Sequence, residues 1–328
     1  YEEYLPFEAD SHDRYTAKSS IAFKNNFLHL PVVDMWITKW KELLNKKFNT
    51  NLSISGTYRF LPTYDIDYAW AFRYKSWKRS LGGWVKDIFL ANRKNLIGRY
   101  ESLQNDTSDP FFCFSYLNTI HQKYQCDPIY FFLLADETSF DKNNIWNHPR
   151  MTALIRAINS QYKVGIHPSY DSMTNARLLQ KEKSRLEDMT DHSVTRSRQH
   201  FLRLRLPDTY RLLIAAGINT DYTMGYAGDI GFRASTSKPF KWFDLENNEV
   251  TTLTIQPFQV MDMTLMKYLK LSPQEAVAHM DSLIDVTKQY EGVFCSLWHN
   301  SSFTMEWEDW KMVYENMMAR APHRRDLI

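Results

Sequence analysis

The stretch Tyr58–Asp67, which reads YRFLPTYDID, is a largely apolar run that ends in two carboxylates. A short apolar run of this kind is typical of a buried strand, and the polar residues that follow mark its end. Residues two apart on a strand point to the same face, so Asp65 and Asp67 can project into one cavity. Two close like charges need a metal, a proton or a cation between them. Turn or helix-cap chemistry is an equally open interpretation of the pair taken alone.

Six further strand candidates alternate with helical patterns along the chain. The strands are predicted at Pro128–Ala135, Tyr162–His167, Thr195–Arg198, Ile218–Tyr222, Thr251–Pro257 and Val293–His299. The helices are predicted at Ser108–Lys123, His148–Ser160, Asn175–Met189, Pro207–Ala216 and Pro273–Tyr290. This alternation indicates an α/β protein with parallel strands covered by helices. About seven strands over roughly 250 residues favour a barrel over a doubly wound sheet.

The chain before the first strand has a different character. Residues 1–31 are polar and irregular, whereas Val32–Lys47 carries apolar residues at helical spacing and is predicted to be an amphipathic helix. The polar stretch Asn45–Gly56 closes this segment. We therefore divide the chain into an N-terminal extension, residues 1–57, and an α/β domain, residues 58–328. The extension is interpreted as a linker helix or the tail of an upstream domain.

Composition excludes several classes of protein. The 40 basic and 38 acidic residues give a net charge of +2, so no chain-wide field attracts nucleic acid or an acidic membrane. Three cysteines without paired spacing indicate neither a disulfide framework nor a cysteine zinc site. There is no apolar run of about 18 residues and no leader sequence. The first residue is not Met, which is compatible with a fragment, so the cytoplasm is favoured only slightly.

Histidines and an arginine fall at other predicted strand ends. His167 ends the third strand, Arg198 and His200 follow the fourth, and His299 ends the last. Each histidine taken singly is better interpreted as an ordinary loop residue. Chemistry in parallel α/β barrels collects at the carboxyl ends of the strands. Two histidines and a carboxylate with open coordination positions form a common catalytic metal site.

Five segments together resemble the motif series of the polysaccharide deacetylases, the NodB-homology or carbohydrate esterase 4-like class. In order they are TYDID (63–67), GIHPS (165–169), SRQHF (197–201), DYTMG (221–225) and SLWHN (296–300). The resemblance is to a divergent branch with an additional N-terminal region, and it covers about residues 58–300. It implies an incomplete, distorted (β/α)7 barrel and an enzyme that hydrolyses N-acetyl or similar acyl groups on amino-sugar-containing saccharides.

The resemblance also implies roles for the matching residues. Asp65 matches the general base that activates the attacking water, and His299 matches the general acid that protonates the leaving amine. His167 matches the first metal-binding histidine, and Arg198 matches the arginine that orients the catalytic aspartate. The oxyanion would be stabilised by the metal and by backbone amides near Phe201.

The metal ligands depart from the family pattern. Ile66 stands where the metal-binding aspartate is expected, and Asp171 stands where the second histidine is expected. Asp67 and His200 can supply the missing carboxylate and imidazole. The expected site is therefore Asp67, His167 and His200 around a divalent metal, with zinc favoured.

Three residues are candidates for substrate contact. Phe201 follows His200, Arg233 lies in the possible substrate loop GFRAST (231–236), and Trp298 precedes His299. A surface turn and a buried core tryptophan are the alternative interpretations of the last two. Asp262 either lines the cleft or caps a turn.

Other functions stay open on the sequence alone. A metal-independent amide hydrolase on the same scaffold fits the Ile66 substitution. A carbohydrate-binding pseudoenzyme would have kept the barrel and lost catalytic activity, although both proton-transfer candidates, Asp65 and His299, are present. A partner-docking protein has only residues 1–57 in its favour.

Overall fold

The computed structural model describes residues 2–54 and 56–322. In that part of the chain, nine strands form one sheet in the order β6-β7-β5-β4-β3-β2-β1-β9-β8. Their bounds are β1 Arg59–Ile66, β2 Ile129–Phe132, β3 Lys163–Ile166, β4 Arg196–Ser197, β5 Thr220–Asp221, β6 Phe240–Asp244, β7 Glu249–Ile255, β8 Val260–Met261 and β9 Val293–His299. All neighbouring pairs are parallel except β6 with β7. The sheet curls into a half-barrel with β6 and β8 at its edges, and the predicted incomplete α/β barrel is confirmed.

Ten helices accompany this sheet in the part of the chain that the structure describes, and the last six contribute buried residues to the core beside it. Their bounds are α1 Ile21–Lys24, α2 Val32–Phe48, α3 Trp77–Phe89, α4 Arg93–Gln104, α5 Phe114–Lys123, α6 Pro149–Asn159, α7 Ala176–Thr190, α8 Asp208–Ala215, α9 Pro273–Gln289 and α10 Lys311–Arg320. Helix α9 begins with a capping box between Ser272 and Glu275. Each of the seven predicted strands and six predicted helices overlaps one of these elements.

Six of these elements were not predicted, among them the four-residue α1. Strand β6 forms a hairpin with β7 through a turn at Asp244, and the two-residue β8 is too short to leave a pattern. Helices α3 and α4 form a helical hairpin inserted between β1 and α5, and α10 packs beside α9.

Alternation along the strands separates the core from the site. Tyr64 and Ile66 of β1 point outward and belong to the large core between sheet and helices. Asp65 lies between them and points inward. The parallel register pairs Asp65 with Phe131 on one side and with His299 on the other. The fold therefore places both proton-transfer candidates on adjacent strands at the same height.

The N-terminal segment, residues 2–54, contacts the barrel through charged groups. The buried Asp34 of α2 accepts hydrogen bonds from Thr236 and from Ser237. Glu3 and Asp13 form ion pairs with arginines of the barrel. Among the described residues, no helix has the length and apolar character needed to cross a membrane.

We predict that Gly165→Ala in β3 destabilises the protein by about 1–3 kcal/mol, because it overpacks the barrel interior. A Cβ there would lie 2.6 Å from the Phe131 ring and 2.9 Å from the carbonyl oxygen of Arg196. Gly82→Ala in α3 is the control, since its Cβ would meet nothing within 4 Å. The control should gain about 0.5–1 kcal/mol from helix propensity. Urea unfolding measures both, and equal effects would contradict the packing argument.

Candidate active site

A cavity of about 200 Å³ opens at the carboxyl ends of the strands. Its polar lining includes Asp65, Asp67, His167, His200 and His299, so five of the predicted catalytic and metal-binding residues share one cavity. Aromatic and apolar side chains complete its wall, among them Tyr68, Phe140, Phe201 and Met261. The strand-end side chains thus converge in a partly enclosed cleft, as chemistry on a parallel barrel requires.

Asp67, His167 and His200 form a cluster suited to a metal ion. One ligand atom from each lies within 4.8 Å of the others. The Nε2 atom of His167 is 3.3 Å from Asp67 Oδ1, and that of His200 is 3.9 Å from Asp67 Oδ2. Asp67 Oδ1 is buried and accepts no hydrogen bond. An unpaired, buried oxygen on a carboxylate that lies between two imidazoles is explained by a shared cation, so these residues fit a divalent metal.

The second nitrogen of each imidazole is fixed by a hydrogen bond. His167 Nδ1 donates to the backbone carbonyl of Arg198 at 2.6 Å, and His200 Nδ1 contacts Asp141 Oδ1 at 2.8 Å. Both contacts favour the tautomer that leaves Nε2 with a free lone pair towards the cavity. Asp141 is buried and comes from the loop after β2, where no sequence pattern had marked it.

The charges in this cluster depend on one another. Burial disfavours the Asp67 carboxylate, but His200, with His167 and His299, holds its pKa well below the usual range. Burial likewise disfavours the charged form of His167, but Asp65 and Asp67 raise the pKa of that imidazole above its usual value. In the absence of a cation, a proton on His167 therefore helps to compensate the carboxylates.

Asp65 is held by an arginine with no solvent exposure. Arg198 Nη1 donates to Asp65 Oδ1 at 2.9 Å, and Arg198 Nε donates to the carbonyl of Tyr222 at 3.0 Å. The guanidinium also lies over the Phe131 ring, 4.6 Å from its centroid. Asp65 is thereby fixed as an oriented carboxylate, with Oδ2 lying 3.6 Å from His167 Nε2.

His299 has its own carboxylate partner. Its Nδ1 contacts Asp262 Oδ1 at 2.8 Å, and its backbone N–H donates to Asp262 Oδ2 at 2.7 Å. Burial lowers the pKa of His299, but Asp262 and the nearby Asp67 and Asp65 outweigh it and raise the pKa to about 10. At neutral pH the imidazole is a positively charged acid with Nε2 facing the cavity, 3.9 Å from Asp67. Asp262 itself is fully buried and does not line the cavity: it contacts the cleft only through His299, and it also accepts a hydrogen bond from the backbone N–H of Met263.

The loop after His200 is shaped by the N-terminal segment. Phe201 and Leu202 both have left-handed backbone angles, with φ values of 60° and 57°. The buried Arg14 donates to the carbonyl of Phe201 at 2.9 Å and to the hydroxyl of Tyr268 at 3.2 Å, and it lines the cavity. Residues 1–31 show no periodicity, so no sequence pattern marks Arg14 as a site residue.

Two of the three predicted substrate contacts are corrected by the structure. Trp298 is 1% exposed and stacks on Phe303 in the core, because it points away from the face that carries His299. Arg233 is buried in a bidentate pair with Glu3 and does not line the cavity. Phe201 does line it. Asp171, the position of the expected second histidine, is exposed and outside the cavity.

Comparison with known proteins adds the fold class. A family of unknown function (DUF7033) matches residues 1–49, and no curated protein matches the chain. A structure from Mycobacterium smegmatis, provisionally described as a polysaccharide deacetylase, is 13% identical with a TM-score of 0.54 and covers 84% of this chain and 88% of its own.

Two further solved structures are more distant. A glycoside hydrolase/deacetylase, also a provisional description, from Parabacteroides distasonis is 10% identical with a TM-score of 0.49, covering 83% of this chain and 67% of that one. A polysaccharide deacetylase assigned in Pseudomonas aeruginosa is 11% identical with a TM-score of 0.47, covering 82% and 88%. The chain has the polysaccharide-deacetylase fold, a distorted (β/α)7 barrel.

We predict that the purified protein retains a near-stoichiometric divalent metal that His167→Ala largely loses. Removal even of an outer-shell partner weakens metal binding by about 10–100-fold, so loss of a ligand should cost at least as much. Elemental analysis before and after chelation measures this. His279→Ala, an exposed histidine on α9, is the matched control and should bind like the unmodified protein. Equal metal content in both variants would contradict the assignment of the ligands.

Proposed function

We propose that this protein is a metal-assisted hydrolase that removes N-acetyl or similar acyl groups from an amino-sugar-containing saccharide. The observation that carries the proposal is the convergence of three groups in one cavity. They are the Asp67, His167 and His200 cluster, the Asp65 carboxylate held by Arg198, and the protonated His299 held by Asp262.

Asp67, His167 and His200 would hold the cation, leaving positions open for water and the acyl oxygen. One carboxylate and two imidazoles suit zinc. The bound ion would polarise the acyl carbonyl and lower the pKa of water. The remaining steps are proton transfers, which the side chains of Asp65 and His299 would carry out.

Asp65 is placed to take the proton of the attacking water as the new carbon–oxygen bond forms. Its Oδ1 is occupied by Arg198, whereas its Oδ2 faces His167 and the cluster. His299 then delivers its Nε2 proton to the nitrogen as the carbon–nitrogen bond breaks, which releases a neutral amine and the carboxylic acid. A carboxylate base and an imidazolium acid on adjacent strands fit the two transfers that amide hydrolysis needs.

The rival functions differ in what they require of the cleft. A metal-independent hydrolase has no need for the unpartnered Oδ1 of Asp67, which faces the imidazole of His167 at 3.3 Å. A carbohydrate-binding pseudoenzyme has no need for a His299 kept charged by a buried carboxylate. The metal measurement separates the first rival from the proposal, and the activity measurement separates the second.

We predict that Asp65→Asn and His299→Ala each reduce release of acetate from N-acetylated saccharides by about 10²-fold or more, the usual contribution of one general acid or base. Both variants should keep the bound metal, since neither residue belongs to the ligand set. Acetate release and metal content are measured on the same preparations. Activity retained in either variant would overturn the corresponding role.

We predict that Asp262→Asn lowers the pH at which activity falls on the alkaline side. Asp262 is the main cause of the raised pKa of His299, and the acid works only while it is protonated. With the carboxylate, the pKa of His299 lies above its usual value and the protonated form persists to higher pH. Without it, the pKa moves back towards the usual value of roughly 6.5. The pH profile of kcat measures the shift, and an unchanged alkaline limb would assign that limb to another group.

A further inference from the structure

The helical hairpin of α3 and α4, residues 75–104, has its apolar side facing outward. Large apolar side chains along α3 are exposed, including Trp77 at 71%, Ile88 at 63% and Phe89 at 87%. They recur at positions 77, 81, 85 and 88, which lie on one helical face. A helix of a soluble domain normally buries such a face, so an exposed one indicates a surface that binds something.

The contact between the two helices is polar, which explains why the apolar face is left outside. Asp87 is buried between α3 and α4, where it accepts from Arg99 Nε at 2.7 Å and from Asn95 Nδ2 at 2.9 Å. Gly83 allows the Arg99 guanidinium to approach α3, since a Cβ there would lie 2.3 Å from it. The buried ion pair fixes the rotation of α3 and turns its apolar face to the outside.

The same hairpin concentrates positive charge. Residues 75–104 contain seven basic and two acidic residues, a net charge of +5, whereas the rest of the chain has a net charge of −3. Lys78, Lys86, Arg93 and Lys94 are exposed and therefore free to meet an external anion. An apolar helical face bordered by exposed lysines and arginines complements a layer of anionic headgroups above acyl chains.

The hairpin also adjoins the cleft. It follows the carboxyl end of β1, and Arg79 donates to the carbonyls of Lys142 and Asn143 in the loop after β2. The same arginine and Lys75 lie over the ring of Tyr68, which lines the cavity. A surface bound by the hairpin would therefore lie beside the mouth of the site.

We propose that the α3–α4 hairpin binds the surface of an anionic phospholipid bilayer, with its apolar face in the interfacial layer and its basic residues among the headgroups. This binding is independent of the hydrolytic function proposed above. It would hold the cleft next to saccharides presented at a lipid surface.

The test is sedimentation of the full chain with vesicles of phosphatidylcholine alone or mixed with phosphatidylglycerol. The unmodified protein should bind the mixed vesicles, and added salt should weaken the binding. The double variant Ile88→Glu, Phe89→Glu should bind at least about tenfold more weakly, since it places charge in the apolar layer. Lys78→Glu with Lys86→Glu should also weaken binding and reduce its dependence on salt.

Val250→Glu is the matched control, because Val250 is 68% exposed in the β6–β7 hairpin, away from α3. It should bind as the unmodified protein does, and circular dichroism should report an unchanged fold for all variants. No binding to mixed vesicles would overturn the proposal, and so would equal binding by every variant. A dimer in solution that Ile88→Glu, Phe89→Glu dissociates would also overturn it, by assigning the face to a second copy.

Discussion

The structure depends most on how the barrel pairs the carboxyl groups that it buries in its interior. Asp65, Asp141 and Asp262 are almost fully buried, and each faces a cationic or protonatable partner. A buried charge without such a partner is strongly destabilising. Two of the three partners are imidazoles, so the balance of charge there can change with a proton or a metal. The same pairs that make burial tolerable thus leave the cleft able to exchange protons.

Strand register turns these pairs into one site. Asp65 lies beside His299 because β1 and β9 are parallel neighbours in register, although the residues are far apart in sequence. The carbonyl of Arg198 orients His167, and the side chain of Arg198 orients Asp65. One residue thereby links the metal-type cluster to the base, so the relative position of the two depends on a single backbone segment.

Much of the candidate site could be predicted from the sequence, because the alternation of side chains along a strand depends only on neighbouring residues. Alternation along the strand turns Ile66 towards the core and Asp67 back towards the cavity. A carboxylate therefore reaches the cavity although it stands one residue later than the family pattern places it. His167, Arg198 and His299 follow from the rule that strand ends meet. Asp141 and Arg14 could not be found in that way, because they come from irregular segments whose position is set by tertiary contacts. Trp298 shows the converse, since adjacency to His299 in sequence places it on the opposite face.

The net charge of the whole chain likewise conceals a local concentration of charge. A net charge of +2 excludes a field over the whole surface, but it does not describe the α3–α4 hairpin, where basic residues and exposed apolar side chains coincide. The apolar residues at positions 77, 81, 85 and 88 have helical spacing in the sequence, but spacing alone does not show whether the face they form is buried or exposed. The hairpin's only buried acidic group, Asp87, is used to join the two helices. The polar contact between α3 and α4 and the exposed apolar face of α3 therefore have the same cause. The inserted hairpin presents that face to another surface.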